Sequence, residues 1–228
     1  MSRAKSFVRG PSAYRRETPR HPSSGKAFLI VTEGEKTERN YFLALKDRLR
    51  LAAADVEIHH PKGTDPLTLV QKAIALSDAR NAAAEKGFSI PYDEVWVVFD
   101  LEGPHDQRRK LAQQARQMKG ADGIQFAKSD PCFEYWLLLH YRDGYTTTKL
   151  PDGTAAIKRL RKHWPNYSKG EPPPPDLIDS LPIAVTHAKQ VRKHHKDSGG
   201  DGNPSTQADL LARSLNAATR PHLQFILP

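Results

Sequence analysis

The sequence predicts an α/β protein in which helices flank a mostly parallel sheet. Segments typical of strands and helices alternate between residues 26 and 141, and this order implies parallel strands joined by crossover helices. The strand segments are short apolar runs rich in branched residues, as in buried strands. We therefore expect an open sheet that is covered on both faces.

Each element has its own pattern in the sequence. The helix over 36–50 has Tyr41, Leu45 and Leu49 at the spacing of one apolar face. The helix over 65–87 has clear ends, with Asp65-Pro66 at its start and Gly87 as its stop. The predicted strands cover residues 26–32, 55–60, 93–100 and 123–129, and the remaining two helices cover 105–119 and 130–141.

The strand pattern fades after about Tyr141, and a helical accessory region is predicted. Basic helices are expected over 154–167 and 181–196, with an extended proline spacer at 171–176 between them, and a further helix from about Ser205. We expect residues 26–228 to form one domain, in which the core (26–141) carries the helical accessory region (142–228).

Composition points to a polyanionic partner. The chain of 228 residues has a net charge of +9 and a pI of about 9.6. Residues 1–25 are predicted to be a disordered basic arm that neutralises phosphates, although an unselected tail has the same composition. No run approaches the ~20 apolar residues of a membrane span, no signal peptide is visible, and Cys132 is the single cysteine. These features favour a cytoplasmic protein.

Two predicted strands end in carboxylates. Glu33 and Glu35 follow the first strand, and Asp100 and Glu102 follow the third. Because the carboxyl ends of parallel strands share one edge, these groups should repel one another unless they are protonated or neutralised by a cation. Oxygen-rich clusters suit Mg²⁺ or Mn²⁺.

Each carboxylate also has a simpler explanation. Thr32 and Glu35 have the spacing of a capping box, which favours a helix cap for Glu35. A buried salt bridge to an arginine competes with a metal at Glu33 and Asp100, and we favour the metal. Glu134 stands in an apolar helix, so it completes the metal site, orients a lysine or histidine, or faces solvent. The sequence has neither Cys/His zinc spacing nor a phosphate-binding Gly-x-x-x-x-Gly-Lys loop.

Basic residues that could contact nucleic acid occur in several segments. Cations interleaved with aromatic side chains can hold a phosphate backbone and stack bases, although a charge run is more often a solvated face. The candidates are Lys36, Arg108, Arg109, Lys158, Arg159, Arg161, Lys162, Lys189, Arg192 and Lys193.

Four ordered motifs resemble those of the RloB-like family of bacterial phage-defence proteins. They are FLIVTEGEKTERNYF, VWVVFDLEG, SDPCFEYWLLLHY and GNPSTQADLLARSL, and the resemblance runs from about residue 27 to 215. The family is regarded as related to Toprim domains. The resemblance therefore implies a Toprim-like, Rossmann-like fold and a Mg²⁺-dependent enzyme that makes or breaks phosphodiester bonds.

The resemblance also assigns roles to residues. Glu33 corresponds to the Toprim glutamate, and Asp100 to the first aspartate of an Asp-x-Asp pair. Glu102 stands where the second aspartate is expected, a departure that changes the reach of the carboxylate. Glu134 and His140 match a Phe-Glu helix. Asn203 and Thr206 match a late Asn-Pro-x-Thr motif, and either could cap the last helix.

The function predicted from the sequence is a metal-dependent nuclease in phage defence. Glu33, Asp100 and Glu102 would hold Mg²⁺, and Glu33 or Glu134 would accept the proton of the attacking water. RNA such as tRNA is favoured over DNA by analogy with other defence Toprim proteins. The resemblance implies an ABC-type ATPase partner, and oligomers remain possible. A non-catalytic module that binds nucleic acid or an ATPase is the main alternative. A nucleotide phosphohydrolase would not need so many cations.

Overall fold

The computed structural model describes residues 25–52, 55–63, 65–101, 105–200 and 202–228. In this part of the chain, five strands form one sheet with helices on both sides. The strands are β1 (Phe28–Thr32), β2 (Val56–His59), β3 (Glu94–Asp100), β4 (Ile124–Asp130) and β5 (Ser205–Thr206). The helices are α1 (Thr37–Arg48), α2 (Pro66–Glu85), α3 (His105–Arg116), α4 (Phe133–Leu138), α5 (Gly153–Leu160), α6 (Pro175–Asp179), α7 (Leu181–Ser198) and α8 (Ala208–Ala218). A 3-10 turn covers Pro221–Leu223.

The strand order is β2-β1-β3-β4-β5, with β1 to β4 parallel. Because β1 lies between β2 and β3, the chain turns to one side after β1 and to the other side after β2. This reversal opens a crevice at the carboxyl ends of β1 and β3, where open α/β sheets bind ligands. The register pairs Thr32 with Val98, so the residues after β1 and at the end of β3 lie side by side.

The two faces of the sheet form two separate hydrophobic clusters. Phe28 and Ile30 of β1 pack in the cluster of α1, α4, α5, α7 and α8. Leu29 and Val31, which alternate with them, pack with α2 and α3. Such alternation follows from the period of two in a strand. The predicted sheet, mostly parallel and flanked by helices, is confirmed.

Several element boundaries differ from the predictions. Asp65 caps α2 through hydrogen bonds from the N–H groups of Leu67 and Thr68, as predicted. The helix predicted over 154–167 ends at Leu160, and the proline spacer gives way to α6 at Pro175. The helix predicted over 130–141 starts only at Phe133, because Asp130 still belongs to β4.

The predicted capping box was wrong. Thr32 ends β1, and its hydroxyl donates to the carbonyl oxygens of Gly34 and His59. Helix α1 begins after Lys36, which makes no side-chain capping bond. Glu35 is exposed, and the carboxylate of Glu38 accepts the N–H of Gly34 instead.

Strand β5 was not predicted, because two residues carry no periodic pattern. It pairs antiparallel with β4, with Thr206 opposite Ser129. The hydroxyl of Thr206 bonds to that of Ser129 and also accepts the N–H of Ala208, the first residue of α8. Thr206 thus helps to start the last helix, as expected from the sequence.

A buried ion pair fixes the late helices to this strand. Arg192 of α7 donates two hydrogen bonds to the carboxylate of Asp209 at 2.6 and 2.7 Å, and a third to the carbonyl oxygen of Thr206. The side chain of Asp209 is fully buried. Arg192, a predicted nucleic-acid contact, therefore serves the packing of α7, β5 and α8. Among the described helices none is long and apolar enough to cross a membrane.

We expect Arg192→Ala to lower the free energy of unfolding by about 3–5 kcal/mol, because it leaves the carboxylate of Asp209 buried without its cation. Urea denaturation followed by circular dichroism measures this change. The neighbouring Lys193 is exposed, so Lys193→Ala should change stability by less than about 0.5 kcal/mol.

The double variant Arg192→Leu with Asp209→Leu should recover much of the loss, since apolar residues can replace a buried ion pair. Equal stabilities for Arg192→Ala and Lys193→Ala would contradict the structural role of Arg192.

Candidate active site at the carboxyl ends of β1 and β3

A cleft of about 440 Å³ opens at the crevice between β1 and β3. Its floor is formed by the residues that follow β1 and by the end of β3, and its walls by the starts of α1 and α4. Five of its lining residues are acidic. Glu35 is exposed, and the other four are Glu33, Glu38, Asp100 and Glu134. Lys36, Arg108 and Lys169 also line it. The cleft therefore combines a cluster of carboxylates with cations around it.

Glu33 is held in place by two donors. Its Oε2 atom accepts the backbone N–H of Asp100 at 2.9 Å and Nη2 of Arg108 at 2.6 Å. Nε of Arg108 also donates to the carbonyl oxygen of Asp100 at 2.8 Å. Arg108 thus joins α3 to the ends of β1 and β3. The sequence-based alternative of a carboxylate–arginine salt bridge is present at Glu33.

Glu38 is a member of the cluster that the sequence analysis missed. Its side chain is buried at the first turn of α1. Burial, and then the charges of Glu134 and Glu33, raise the pKa of Glu38 to about 7, although backbone hydrogen bonds partly oppose this rise. Glu38 precedes Tyr41 by three residues and Leu45 by seven, which places it on the apolar face of α1. This spacing alone could therefore have predicted that Glu38 lies on the buried face of α1.

Asp100 lies at the centre of the electrostatic cluster. Burial is the first cause that raises its pKa well above the usual value for an aspartate. The charges of Glu38, Glu33 and Glu134 raise this pKa further. The positive charge of Lys169 lowers it in part. The neighbouring carboxylates are therefore close enough to oppose the ionisation of Asp100.

Glu134 points into the cleft from the first turn of α4. It is 2% exposed, so the alternative of a solvent-facing side chain was wrong. Its Oε1 atom accepts the hydroxyl of Tyr167 at 2.8 Å and lies 3.9 Å from Nζ of Lys169. Both partners come from the segment after α5, which no sequence motif linked to the site.

A second polar network lies at the end of β4 and just before the start of β5. The carboxylate of Asp130 accepts hydrogen bonds from Asn203 at 2.6 Å and from Arg109 at 3.0 Å. The side-chain oxygen of Asn203 accepts the N–H of Leu150. Asn203 therefore joins β4 to the segment that precedes α5, and it does not cap α8.

His140 belongs to the core. Its Nδ1 atom faces the carbonyl oxygen of Trp136 at 3.0 Å, so Nδ1 carries the proton and Nε2 accepts the hydroxyl of Tyr41. Burial lowers the pKa of His140 to about 3. The ring is therefore neutral at physiological pH.

The predicted nucleic-acid contacts are spread over several surfaces. Lys36 and Arg108 line the cleft, and Arg109 is bound to Asp130. Arg159 donates to the hydroxyl of Thr146, Arg161 to the carbonyl oxygen of Tyr167, and Lys189 to that of Pro228. Apart from Arg192, which pairs with Asp209, the remaining candidates are exposed, namely Lys158, Lys162 and Lys193.

The carboxylates fit Mg²⁺ or Mn²⁺ in kind, since they are hard oxygen donors and the charges of Glu38, Glu33 and Glu134 raise the pKa of Asp100. As placed, however, the described residues include no group of three or more His, Cys, Asp or Glu side chains that could hold a metal ion. Glu33 faces Arg108 instead. Glu102, the third predicted ligand, lies outside the described residues, as does the basic arm up to residue 24.

Comparison with known proteins identifies one family. The model of the family described as RloB-like protein matches residues 28–215. This range includes every site residue discussed above. No curated protein and no solved structure matches the chain.

The raised pKa of Glu38 predicts a pH-dependent effect of Glu38→Gln. The unfolded chain ionises this group near pH 4.5 and the folded protein near pH 7, so wild-type stability falls between these values and the loss is complete above pH 7. Glu38→Gln removes that loss. In EDTA, its stability relative to wild type should rise by up to about 3 kcal/mol between pH 4.5 and pH 8.

Urea denaturation at the two pH values checks this prediction. Glu35→Gln is the matched control, because Glu35 is exposed at the rim of the same cleft. If Glu38→Gln and wild type change in parallel with pH, the carboxyl of Glu38 ionises normally in the folded protein.

Proposed function

This chain belongs to the RloB-like protein family, and we propose that it is a metal-dependent nuclease that acts in bacterial phage defence. One observation carries the proposal. Glu33, Glu38, Asp100 and Glu134 converge at the switch point of the sheet, where burial and the charges of neighbouring carboxylates raise the pKa values of Glu38 and Asp100. A cluster that serves stability alone gains nothing from such crowding, whereas a cation-dependent site requires it.

The residues fit a divalent cation in the following way. Glu33 and Asp100, together with Glu102, would hold Mg²⁺ or Mn²⁺, which when bound supplies a Lewis acid and an activated water for phosphodiester hydrolysis. Arg108 would then exchange Glu33 for a substrate phosphate, for which its guanidinium is well suited. The cation would compete with Arg108 for Glu33, and the substrate phosphate would compete with Glu33 for Arg108. Binding of the cation and binding of the substrate are therefore coupled in this scheme.

Glu134 is the better of the two predicted proton acceptors. Oε2 of Glu33 already accepts hydrogen bonds from two donors, the N–H of Asp100 and Arg108. The hydroxyl of Tyr167 fixes Oε1 of Glu134 and so orients the carboxylate in the cleft. In the proposed reaction Glu134 accepts a proton from the attacking water.

RNA such as tRNA is the first substrate that we propose, and DNA the second. The net charge of +9 and the exposed cations Lys158, Lys162 and Lys193 support a polyanionic substrate of either kind. The order of preference rests on the resemblance to defence Toprim proteins. An ABC-type ATPase partner, a cytoplasmic location and the Toprim relationship belong to the same proposal.

The proposal is tested by incubating the purified protein with total bacterial tRNA and with plasmid DNA, in Mg²⁺, Mn²⁺ or EDTA. We expect cleavage that requires the metal and falls by roughly 100-fold or more in Glu33→Gln and Asp100→Asn. Asp122→Asn removes an exposed carboxylate next to the start of β4, at the opposite edge of the sheet, and should cut at the wild-type rate.

Cleavage that survives in both site variants would come from a contaminating nuclease or from a different site. If no nucleic acid is cut with either metal, while binding is the same in all four proteins, the nuclease proposal fails for the isolated protein.

The ion pair between Arg108 and Glu33 supports a second candidate function, a non-catalytic module that binds nucleic acid. In that case Arg108 and the peptide N–H of Asp100 would satisfy Glu33 permanently. The two candidates differ in which property the Arg108→Ala substitution should remove, measured in the presence of metal. A nuclease should lose metal-dependent cleavage in this variant, whereas a binding module should lose only stability.

A further inference from the structure

A second cation reaches the carboxylate cluster from the loop that follows α5. Lys169 lines the cleft, and its Nζ atom lies 3.9 Å from Oε1 of Glu134. The positive charge of Lys169 also lowers the pKa of Asp100, so Lys169 interacts with Asp100 as well as with Glu134. Arg108 approaches the same carboxylates from α3, and the two cations therefore line one cleft.

The backbone of this loop is fixed on both sides of Lys169. On one side, the buried Tyr167 bonds to Glu134, and its carbonyl oxygen accepts Nε of Arg161 at 3.1 Å. On the other side, the carbonyl oxygen of Gly170 accepts the side-chain amide of Asn40 in α1 at 2.8 Å. The loop thus joins α1 to α4 across the cleft entrance.

Gly170 makes this close approach possible. Its φ of +100° is unfavourable for other residues, and a Cβ atom here would lie 2.7 Å from Cδ of Lys36. The positive φ favours glycine at position 170, and any other residue here would also displace the side chain of Lys36. In contrast to this fixed backbone, the side chain of Lys169 is 64% exposed, so its ammonium group can follow a ligand that enters the cleft.

The geometry points to Lys169 as a catalytic residue that contacts the phosphate to be cut, an inference that rests on the proposed nuclease function. In hydrolysis the water oxygen bonds to phosphorus and the water proton passes to Glu134, while the ester P–O bond breaks, its electron pair stays on the leaving oxygen, and that oxygen takes up a proton from solvent. Negative charge grows on the phosphate oxygens during this step. The ammonium of Lys169 leaves Glu134 for these oxygens, and the hydroxyl of Tyr167 continues to hold Glu134. Asn40 is a positioning residue that acts through the loop.

The test compares Lys169→Met and Lys169→Arg with Lys86→Met. Lys86 is an exposed lysine at the end of α2. With the nucleic acid that wild type cuts best, Lys169→Met should lower kcat by roughly 100-fold, raise KM by a much smaller factor, and leave Tm nearly unchanged. Lys169→Arg should retain part of the rate. Lys86→Met should match wild type, and Asn40→Ala should lower kcat with the charge of Lys169 intact.

A binding measurement separates failure of this inference from failure of the nuclease proposal. In EDTA, the affinity for a fluorescent single-stranded oligonucleotide is measured against salt. Lys169→Met should reduce the slope of log K against log[salt] by about one phosphate contact, and Lys86→Met should not.

If wild type cuts and Lys169→Met cuts equally well, the role of Lys169 is overturned and the nuclease proposal stands. If no protein cuts but the slope falls only for Lys169→Met, the phosphate contact stands and the nuclease proposal fails. An unchanged slope without cleavage overturns both.

Discussion

Like charges held together at one edge of the sheet are the constraint on which this structure depends. Parallel pairing of β1 and β3 sets Glu33 beside Asp100, and the starts of α1 and α4 add Glu38 and Glu134. In a partly buried cleft this arrangement raises the energy of the ionised state. Cations from separate elements compensate this charge, namely Arg108 on α3 and Lys169 after α5. Packing and charge balance are therefore linked across the molecule.

The sheet could be predicted from the sequence because its signals are local. Apolar runs mark β1 and β3, and Asp65-Pro66 marks the start of α2, where the structure confirms the cap. The edge at which Glu33 and Asp100 meet follows from parallel pairing alone. Strand β5 and the short α4 could not be predicted in the same way. Strand β5 has only two residues, which are too few to show a strand periodicity. The apolar run around α4 continues past the helix, because the residues on both sides of α4 are also buried.

The remainder of the site depends on tertiary contacts that no local pattern records. Tyr167 and Lys169 lie more than thirty residues after Glu134, in a loop whose sequence resembles any basic linker. Arg192 and the exposed Lys193 are adjacent cations with the same sequence signal, yet one of them forms a buried ion pair with Asp209. Glu38 is the exception, since its helical spacing from Tyr41 and Leu45 already placed it on a buried face. Side chains of similar chemistry take different roles when the fold, and not the sequence neighbourhood, supplies the partners.

The cover of one sheet face has a consequence for how the protein is made. Phe28 and Ile30 near the start of the chain are buried against a cluster that includes residues of α6, α7 and α8, between positions 177 and 218. The hydroxyl of Thr219 also bonds to the carbonyl oxygen of Leu49. During translation, the first four strands leave the ribosome long before this cover exists, and contacts so distant in sequence form late in folding. A nascent chain thus cannot complete the cover of this sheet face until α6, α7 and α8 have been synthesised.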